Sequence, residues 1–347
     1  MLKPSTPEGR PWSRPPRVTV LCGGFGAARF LSGLLRVEAD LTCVVNTADD
    51  LTYAGLVVSP DVDTVCYALA GRYDEERGWG LVGDTFTNAE ALRRYGAGWF
   101  AVGDEDLATH MRRTALLGGG ATLTEATADL AGSLGLTARV LPMSDDPVRT
   151  RVVSDEGALG FQDFLVRRRG EPVVEGVSFE GADSARPAPG VLEALTGADL
   201  VVVAPSNPVA SIAPILGLPG VRQALDERDG PVVAVTPVVS GRPPRTPPER
   251  SRAHVRAAFM SAWGLEHRPA AVARFYGDMV DGFVLDQRDA AEAAEIEGLG
   301  LVVLTADTLA PPAARPETVA AVLAFGLGLT RRGPGAPRSP GPRCRPL

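Results

Sequence analysis

At 347 residues, with 45% hydrophobic and 22% charged side chains, the chain has the length of two ordinary domains or one large α/β domain and the composition of a globular protein. Collagenous, coiled-coil and wholly disordered classes are excluded on those figures, and a net charge of −7 argues against a general nucleic-acid partner, which needs a basic surface. The longest apolar runs, such as Leu200–Ala204 and Leu301–Leu304, are strand-sized and far below the ~20 residues of a membrane helix.

The chain opens with a proline-rich stretch, residues 1–16, that lacks the apolar centre of a secretory signal and is expected to be a loose tail. From Arg17 the pattern is strand then helix. Val18–Cys22 leads through a glycine turn into a helix over Ala28–Leu35, followed by the apolar strand Leu41–Val45. Further along, helical periodicity marks Leu107–Leu117 and Leu123–Leu134, and a strand is predicted at Arg139–Leu141. Residues 149–180 differ. Arg151–Ser154, Phe161–Arg167 and Val173–Phe179 predict antiparallel strands around the turn Asp155–Gly160, a small β-rich insertion. Strands then follow at Leu200–Ala204, Val232–Thr236, Gly282–Leu285 and Leu301–Leu304. Helices are predicted at Ala253–Trp263 and Pro316–Phe325, with a proline-rich loop at Gly241–Pro248. The expected fold is therefore α/β, a doubly wound, mostly parallel Rossmann-like sheet in a single domain over residues 17–330, with a disordered tail over 331–347.

Several chemistries are closed off. Only Lys3 among the 35 basic residues is lysine, which removes Schiff-base and Walker-lysine mechanisms. Cys22, Cys43, Cys66 and Cys344 contain no C-x-x-C pair, and the first two fall in predicted buried strands, so neither a zinc site nor a disulfide framework is indicated and a cytoplasmic location fits. Three histidines show no metal triad. Ser206 lacks a G-x-S-x-G setting, which rejects a serine hydrolase.

The polar residues that remain gather at predicted strand ends, where open α/β sheets bind ligands. After the first strand, Gly23, Gly24, Phe25, Gly26 and Ala27 form a turn that either cradles a phosphate at a helix N-terminus or merely permits tight packing. The second strand runs into Asn46, Thr47, Ala48, Asp49 and Asp50. With Asp61 and Asp63 at a following helix start, oxygen ligands for a hard cation such as Mg²⁺ converge, although an acidic residue at a helix start is also a common cap. Gly103–His110 opens a helix with acidic residues suited to its dipole, and His110 reads there as a packed or capping residue. Ser144, Asp145 and Asp146 read as a turn. Ser206 and Asn207, fixed between two prolines, offer side-chain hydrogen bonds at the same sheet edge.

In this order, GGFGAARF (Gly23–Phe30), NTADD (Asn46–Asp50), SPDVDT (Ser59–Thr64), GDEDLATH (Gly103–His110), LPMSDDPV (Leu141–Val148), FQDFLVRRRGEP (Phe161–Pro172) and APSNPVASIAPI (Ala204–Ile215) resemble the 2-phospho-L-lactate transferase family of coenzyme F-420 biosynthesis, which includes phosphoenolpyruvyl transferases. The resemblance implies transfer of a phosphoenolpyruvyl, phospholactyl or phosphoglyceryl group from a guanosine diphosphate conjugate to the ribityl hydroxyl of the deazaflavin Fo, with release of GMP and a requirement for Mg²⁺. It also implies a homodimer. Matched block to block, it makes Asp49 and Asp63 the metal contacts. Asp63 would lie close to the acceptor hydroxyl with Asp50 in support, and Gly23–Ala27, Asn46, Thr47, Ser206 and Asn207 would line the nucleotide site. The alternative is a non-catalytic nucleotide-sugar-binding regulator of a related Rossmann-like family. A dinucleotide-dependent oxidoreductase fails on its glycine spacing, although Asp49 would suit one.

Overall fold

The structure is a computed structural model that describes residues 14–331; apart from 14–16 and 331, the two predicted tails lie outside the described residues. In chain order, β1 (Arg17–Cys22), α1 (Gly24–Leu34) and β2 (Asp40–Val45) form the first parallel unit. A short hairpin of β3 (Leu51–Tyr53) and β4 (Leu56–Val58) leads into α2 (Pro60–Leu69), α3 (Thr87–Arg94), α4 (Asp104–Gly118), α5 (Leu123–Ser133) and β5 (Arg139–Pro142). The insertion follows as β6 (Arg149–Ser154), β7 (Gly157–Gly160) and β8 (Val174–Glu180). The second half runs through α6 (Val191–Thr196), β9 (Leu200–Val203), α7 (Ala213–Gly217), α8 (Val221–Glu227), β10 (Val232–Val235), α9 (Pro247–Ala262) and α10 (Pro269–Tyr276). It ends with β11 (Gly282–Asp286), α11 (Ala293–Gly298), β12 (Val302–Ala306) and α12 (Arg315–Leu327).

Seven of these strands form one all-parallel sheet in the order β12-β11-β10-β9-β1-β2-β5. The chain adds strands outward from β1 on one side, then returns to the other side with β9, so the order reverses between β1 and β9. Helices cover both faces, which is why β1 from Val18 onward and β9 are continuously buried instead of alternating. Val18, Val20, Leu200 and Val202 point to the side covered by α1, α2 and α12, where Leu31, Val65 and Val322 are buried. Leu21, Val201 and Val203 point to the other, onto a larger core that includes α6 to α10.

The insertion is a three-stranded antiparallel sheet in the order β7-β6-β8, and Val152 and Val177 are buried within that larger core. One predicted strand is corrected. Phe161–Arg167 is not extended: β7 ends at Gly160, and Asp163–Arg167 forms a π-helical turn. Phe161, Phe164 and Leu165 are spaced three and four apart, which puts them on one helical face, and both phenylalanines pack on Phe259 of α9 with ring centroids 5.8 and 5.7 Å apart. The predicted loop Gly241–Pro248 is also shorter than expected. The Thr246 hydroxyl accepts a hydrogen bond from Glu249 N while the Glu249 carboxylate accepts one from Thr246 N, so Pro247 and Pro248 are the first residues of α9. The sequence reading missed the β3–β4 hairpin and the short helices α3, α6, α7, α8, α10 and α11, which carry too few residues for a periodic signal.

Because Phe259 is fully buried and holds the π-helical turn of the insertion onto α9, Phe259→Ala should cost about 3–5 kcal/mol in denaturant unfolding. A loss below about 1 kcal/mol would mean that this contact does not anchor the insertion.

Candidate functional site

The carboxyl ends of β1 and β9 carry the glycine turn and the Pro205–Asn207 loop, and the reversal in strand order brings them together. Ser206 staples the two: its hydroxyl accepts from Gly23 N–H (3.2 Å) and donates to the Gly23 carbonyl (2.8 Å). A Cβ on Gly26 would collide with the Pro205 carbonyl oxygen, so Gly26 is required for this close approach. Gly24, at φ +69°, occupies the left-handed region and leaves its amide to the Asp61 carboxylate. The turn thus serves packing at Gly26 and presents backbone to an anion at Gly24.

Together these elements wall a cavity of about 710 Å³, within the range of small-molecule sites. Its acidic wall comes from the β2 end and α2. Asn46 Nδ2 donates to Asp49 Oδ2 (3.1 Å) and Asp61 Oδ2 (2.9 Å), drawing the two carboxylates together, while Thr150 Oγ1 donates to Asp49 Oδ1 (3.0 Å). Burial, then the charge of Asp61, holds Asp49 well above the usual carboxylate range; burial pushes Asp61 up to about 6. Two buried, mutually repelling carboxylates form a donor set that a divalent cation would satisfy.

Asp63 also lines the cavity, but both of its oxygens accept from Arg113, a fully buried guanidinium (Nη1 at 3.1 Å, with a second bond from Nη2). His110 stands between Asp63 (Nδ1 to Oδ2, 3.5 Å) and Asp106 (Nε2 to Oδ1, 3.6 Å), and the Tyr67 hydroxyl donates to Asp106 (2.8 Å). Asp63, Asp106 and His110 each bring a ligand-capable atom within 4.8 Å of the others. That clustering, together with Asp106 and Arg113, was missed in the sequence, where His110 reads as packing and no triad is visible. The Asp63 oxygens are already engaged by Arg113, so Asp49 and Asp61 are the pair better suited to an ion.

The remaining sequence candidates separate by position. Gly23, Gly24, Phe25, Gly26, Ser206 and Asn207 line the cavity. Ala27 is buried in the α1 core, Asn46 acts through Asp49 and Asp61, and Thr47 and Asp50 lie behind the wall. Asn207 Oδ1 is used locally, accepting from Val209 N and Ala210 N to cap the π-helical turn Pro208–Ile212. Asp145 and Asp146 accept from Thr124 and Arg186 N and are structural, as a turn reading expects. The cavity is also lined by features the sequence did not single out: the rings of Trp79, Trp99 and Phe100, and the arginines of α9. Cys22, Cys43 and Cys66 are buried free thiols, and among the described residues no helix is long and apolar enough to cross a membrane.

Fold and cavity together define a doubly wound α/β protein with its ligand site at the point where strand order reverses, the place where such sheets hold nucleotides and other phosphate-bearing ligands. The profile of the family described as 2-phospho-L-lactate transferase CofD matches residues 18–308, and the chain belongs to that family. A phosphoenolpyruvate transferase of Streptomyces griseus is 44% identical over 294 residues, covering 82% of this chain and 90% of its own length. A 2-phospho-L-lactate transferase of Methanosarcina mazei is 39% identical over 307 residues, covering 88% and 98%. A second phosphoenolpyruvate transferase, from Thermobifida fusca, is 43% identical, covering 79% and 87%. Among solved structures, a member of the UPF0052 family from Bacillus halodurans shares the fold, with TM-score 0.57 and 16% identity over 90% of this chain and 100% of that one.

Asp50 supplies a pH prediction. Burial pushes its carboxyl up to about 7, against a Ser59 hydrogen bond (2.8 Å) that favours the charged form, and its Oδ1 has no partner among the described residues. The folded protein therefore holds this proton more tightly than the unfolded chain, so stability present below about pH 4 is lost as pH rises through about 7, by at most about 4 kcal/mol. The metal-free protein should melt at a lower temperature at pH 8 than at pH 5.5, and Asp50→Asn should shrink that difference. A pH-independent melting temperature in the wild type would contradict the assignment.

Proposed function

We propose that the protein transfers a phospho-carboxylate group from a guanosine diphosphate conjugate to the ribityl hydroxyl of the deazaflavin Fo, releasing GMP, as a step of coenzyme F-420 biosynthesis. The observation that carries this reading is the gathering, in one cavity at the strand-order reversal of a CofD-family chain, of carboxylates, aromatic rings and arginines. The acceptor oxygen attacks the phosphorus that carries the acid, and the bond from that phosphorus to the GMP oxygen breaks. Such a transfer demands alignment and charge neutralisation in place of a protein nucleophile, which suits a chain whose sole lysine is Lys3.

Each group has a part. The glycine turn at the start of α1 borders the cavity where donor phosphates would lie, Asn207 Nδ2 remains for the nucleotide, and Trp79, Trp99 and Phe100 offer flat apolar surface for a fused-ring acceptor. Asp49 and Asp61, preset by Asn46, would hold Mg²⁺. Bound there, the ion would offset charge on the donor diphosphate. Asp63, its carboxylate fixed by Arg113, orients the acceptor hydroxyl. Experiment decides which acid is transferred, because both names recur among relatives of overlapping identity, 44% and 40% for two phosphoenolpyruvate transferases and 42% and 39% for two 2-phospho-L-lactate transferases.

Incubation with Fo, Mg²⁺ and each of the phospholactyl, phosphoenolpyruvyl and phosphoglyceryl guanosine conjugates should give GMP and one heavier Fo product by mass. Nucleotide binding without product from any of the three would favour a non-catalytic regulator.

Asp49→Asn and Asp61→Asn should each lower turnover by roughly 10²-fold or more while preserving the melting temperature, because each keeps side-chain size and removes a charge. Asn caps helices about as well as Asp, so a capping role at Asp61 predicts near-normal turnover instead.

A further inference from the structure

The reaction described above leaves two arginines of α9 without a task. Arg252 and Arg256 are four residues apart, hence on one face of the helix and about 6 Å apart along it, and both line the cavity. Arg252 lies over the Phe25 ring of the glycine turn, its Cζ 3.7 Å from the ring centroid. Arg256 Nε donates to His267 Nε2 at 3.0 Å, which requires that nitrogen to be the imidazole's acceptor. Its two terminal nitrogens have no hydrogen-bond partner among the described residues, and no carboxylate there pairs with either arginine. Glu249, the one acidic residue of α9, is engaged by Arg242, Arg245 N and its own capping box.

Two cations one turn apart with no carboxylate in contact are costly, and the charge of Glu249 only partly offsets the burial of Arg252. Burial, then the charge of Arg252, pushes the Arg256 guanidinium down to about 10, and burial likewise lowers Arg252. An anion that bridged them would relieve that cost. With Nε committed to His267, the edge left on Arg256 is the pair of terminal nitrogens, a planar fork that matches a carboxylate with two parallel N–H bonds. A 2-phospho acid carries its carboxylate three bonds from phosphorus, so carboxylate and phosphate fit between two arginines one turn apart.

We propose that Arg252 and Arg256 clamp the free carboxylate of the transferred acid. Arg256, oriented by His267, is its bidentate partner, and Arg252 bridges from it to the phosphates at the glycine turn. The proposal rests on the transferase reading and adds to it the part of the site that recognises the acid and not the nucleotide. GDP lacks the carboxylate and the acid that bears it, so the clamp separates two ligands that share the guanosine and both phosphorus atoms.

Calorimetric titration of the full chain, in Mg²⁺, with GDP and with the phospholactyl guanosine conjugate tests this. Arg256→Gln should lose roughly tenfold or more in affinity for the conjugate and less than about twofold for GDP. Arg252→Gln should weaken both, the conjugate more. Arg256→Lys keeps the charge but not the fork and should lose less than Arg256→Gln; it also serves as the variant if the glutamine form melts well below wild type. Equal losses for GDP and conjugate in the Arg256 variants, or no loss for either, would overturn the clamp while leaving the transferase reading intact. A wild-type protein that binds neither ligand would overturn both.

Discussion

The loop after β9 can lie against the turn after β1 only because position 26 carries no side chain. Everything at the site depends on that approach. It lets Ser206 bond both backbone groups of Gly23, and so fixes where the first residues of α1 face the cavity. A parallel sheet parts its connections at the reversal point and leaves a crevice there. In this protein the crevice is closed from behind by two backbones in contact and stays open in front. Position, in other words, is set by packing before any charged group contributes.

Charge is then distributed by the order of the chain. The segments after β2 supply Asp49, Asp61 and Asp63, while Arg252 and Arg256 come from α9, after β10, so the cavity draws its carboxylates and these two arginines from different parts of the chain. The acidic residues are not equivalent. Asp63 is neutralised by Arg113, whereas Asp49 and Asp61 have only neutral donors, and burial holds both above the normal range. Buried carboxylates without a counter-charge are an unstable arrangement in isolation and a receptive one toward a cation.

Much of this was legible before the structure. Continuous apolar runs flanked by helical periodicity define a parallel sheet because burial on both faces removes alternation, and the ends of such strands are where ligand groups must lie. Asp49, the glycine turn and Ser206 stand at such strand ends, and Asp61 and Asp63 are legible as carboxylates at the helix start that follows. What escaped was information carried by distance in space. Asp106, His110 and Arg113 sit on α4, more than forty residues after Asp63, and only the packing of α4 against the β4–α2 segment brings them to its carboxylate. The aromatic wall and the α9 arginines have no local pattern either, since a half-buried arginine beside a cavity looks in sequence like any solvated one. Phe161–Arg167 was misassigned for a different reason. Its apolar residues suit both periods over so short a span, and the deciding contact, Phe259, is nearly a hundred residues away.

The helix that carries Arg252 and Arg256 is joined to the rest of the site at several points. Phe259 ties it to the insertion through Phe161 and Phe164, Thr150 of that insertion donates to Asp49, and Arg252 itself lies over Phe25 of the glycine turn. A substitution in α9 or in the π-helical turn beneath it is therefore felt at the carboxylates and at the glycine turn as well as at the arginines. A scaffold coupled in this way changes what its cavity accepts only through compensating substitutions in all three segments.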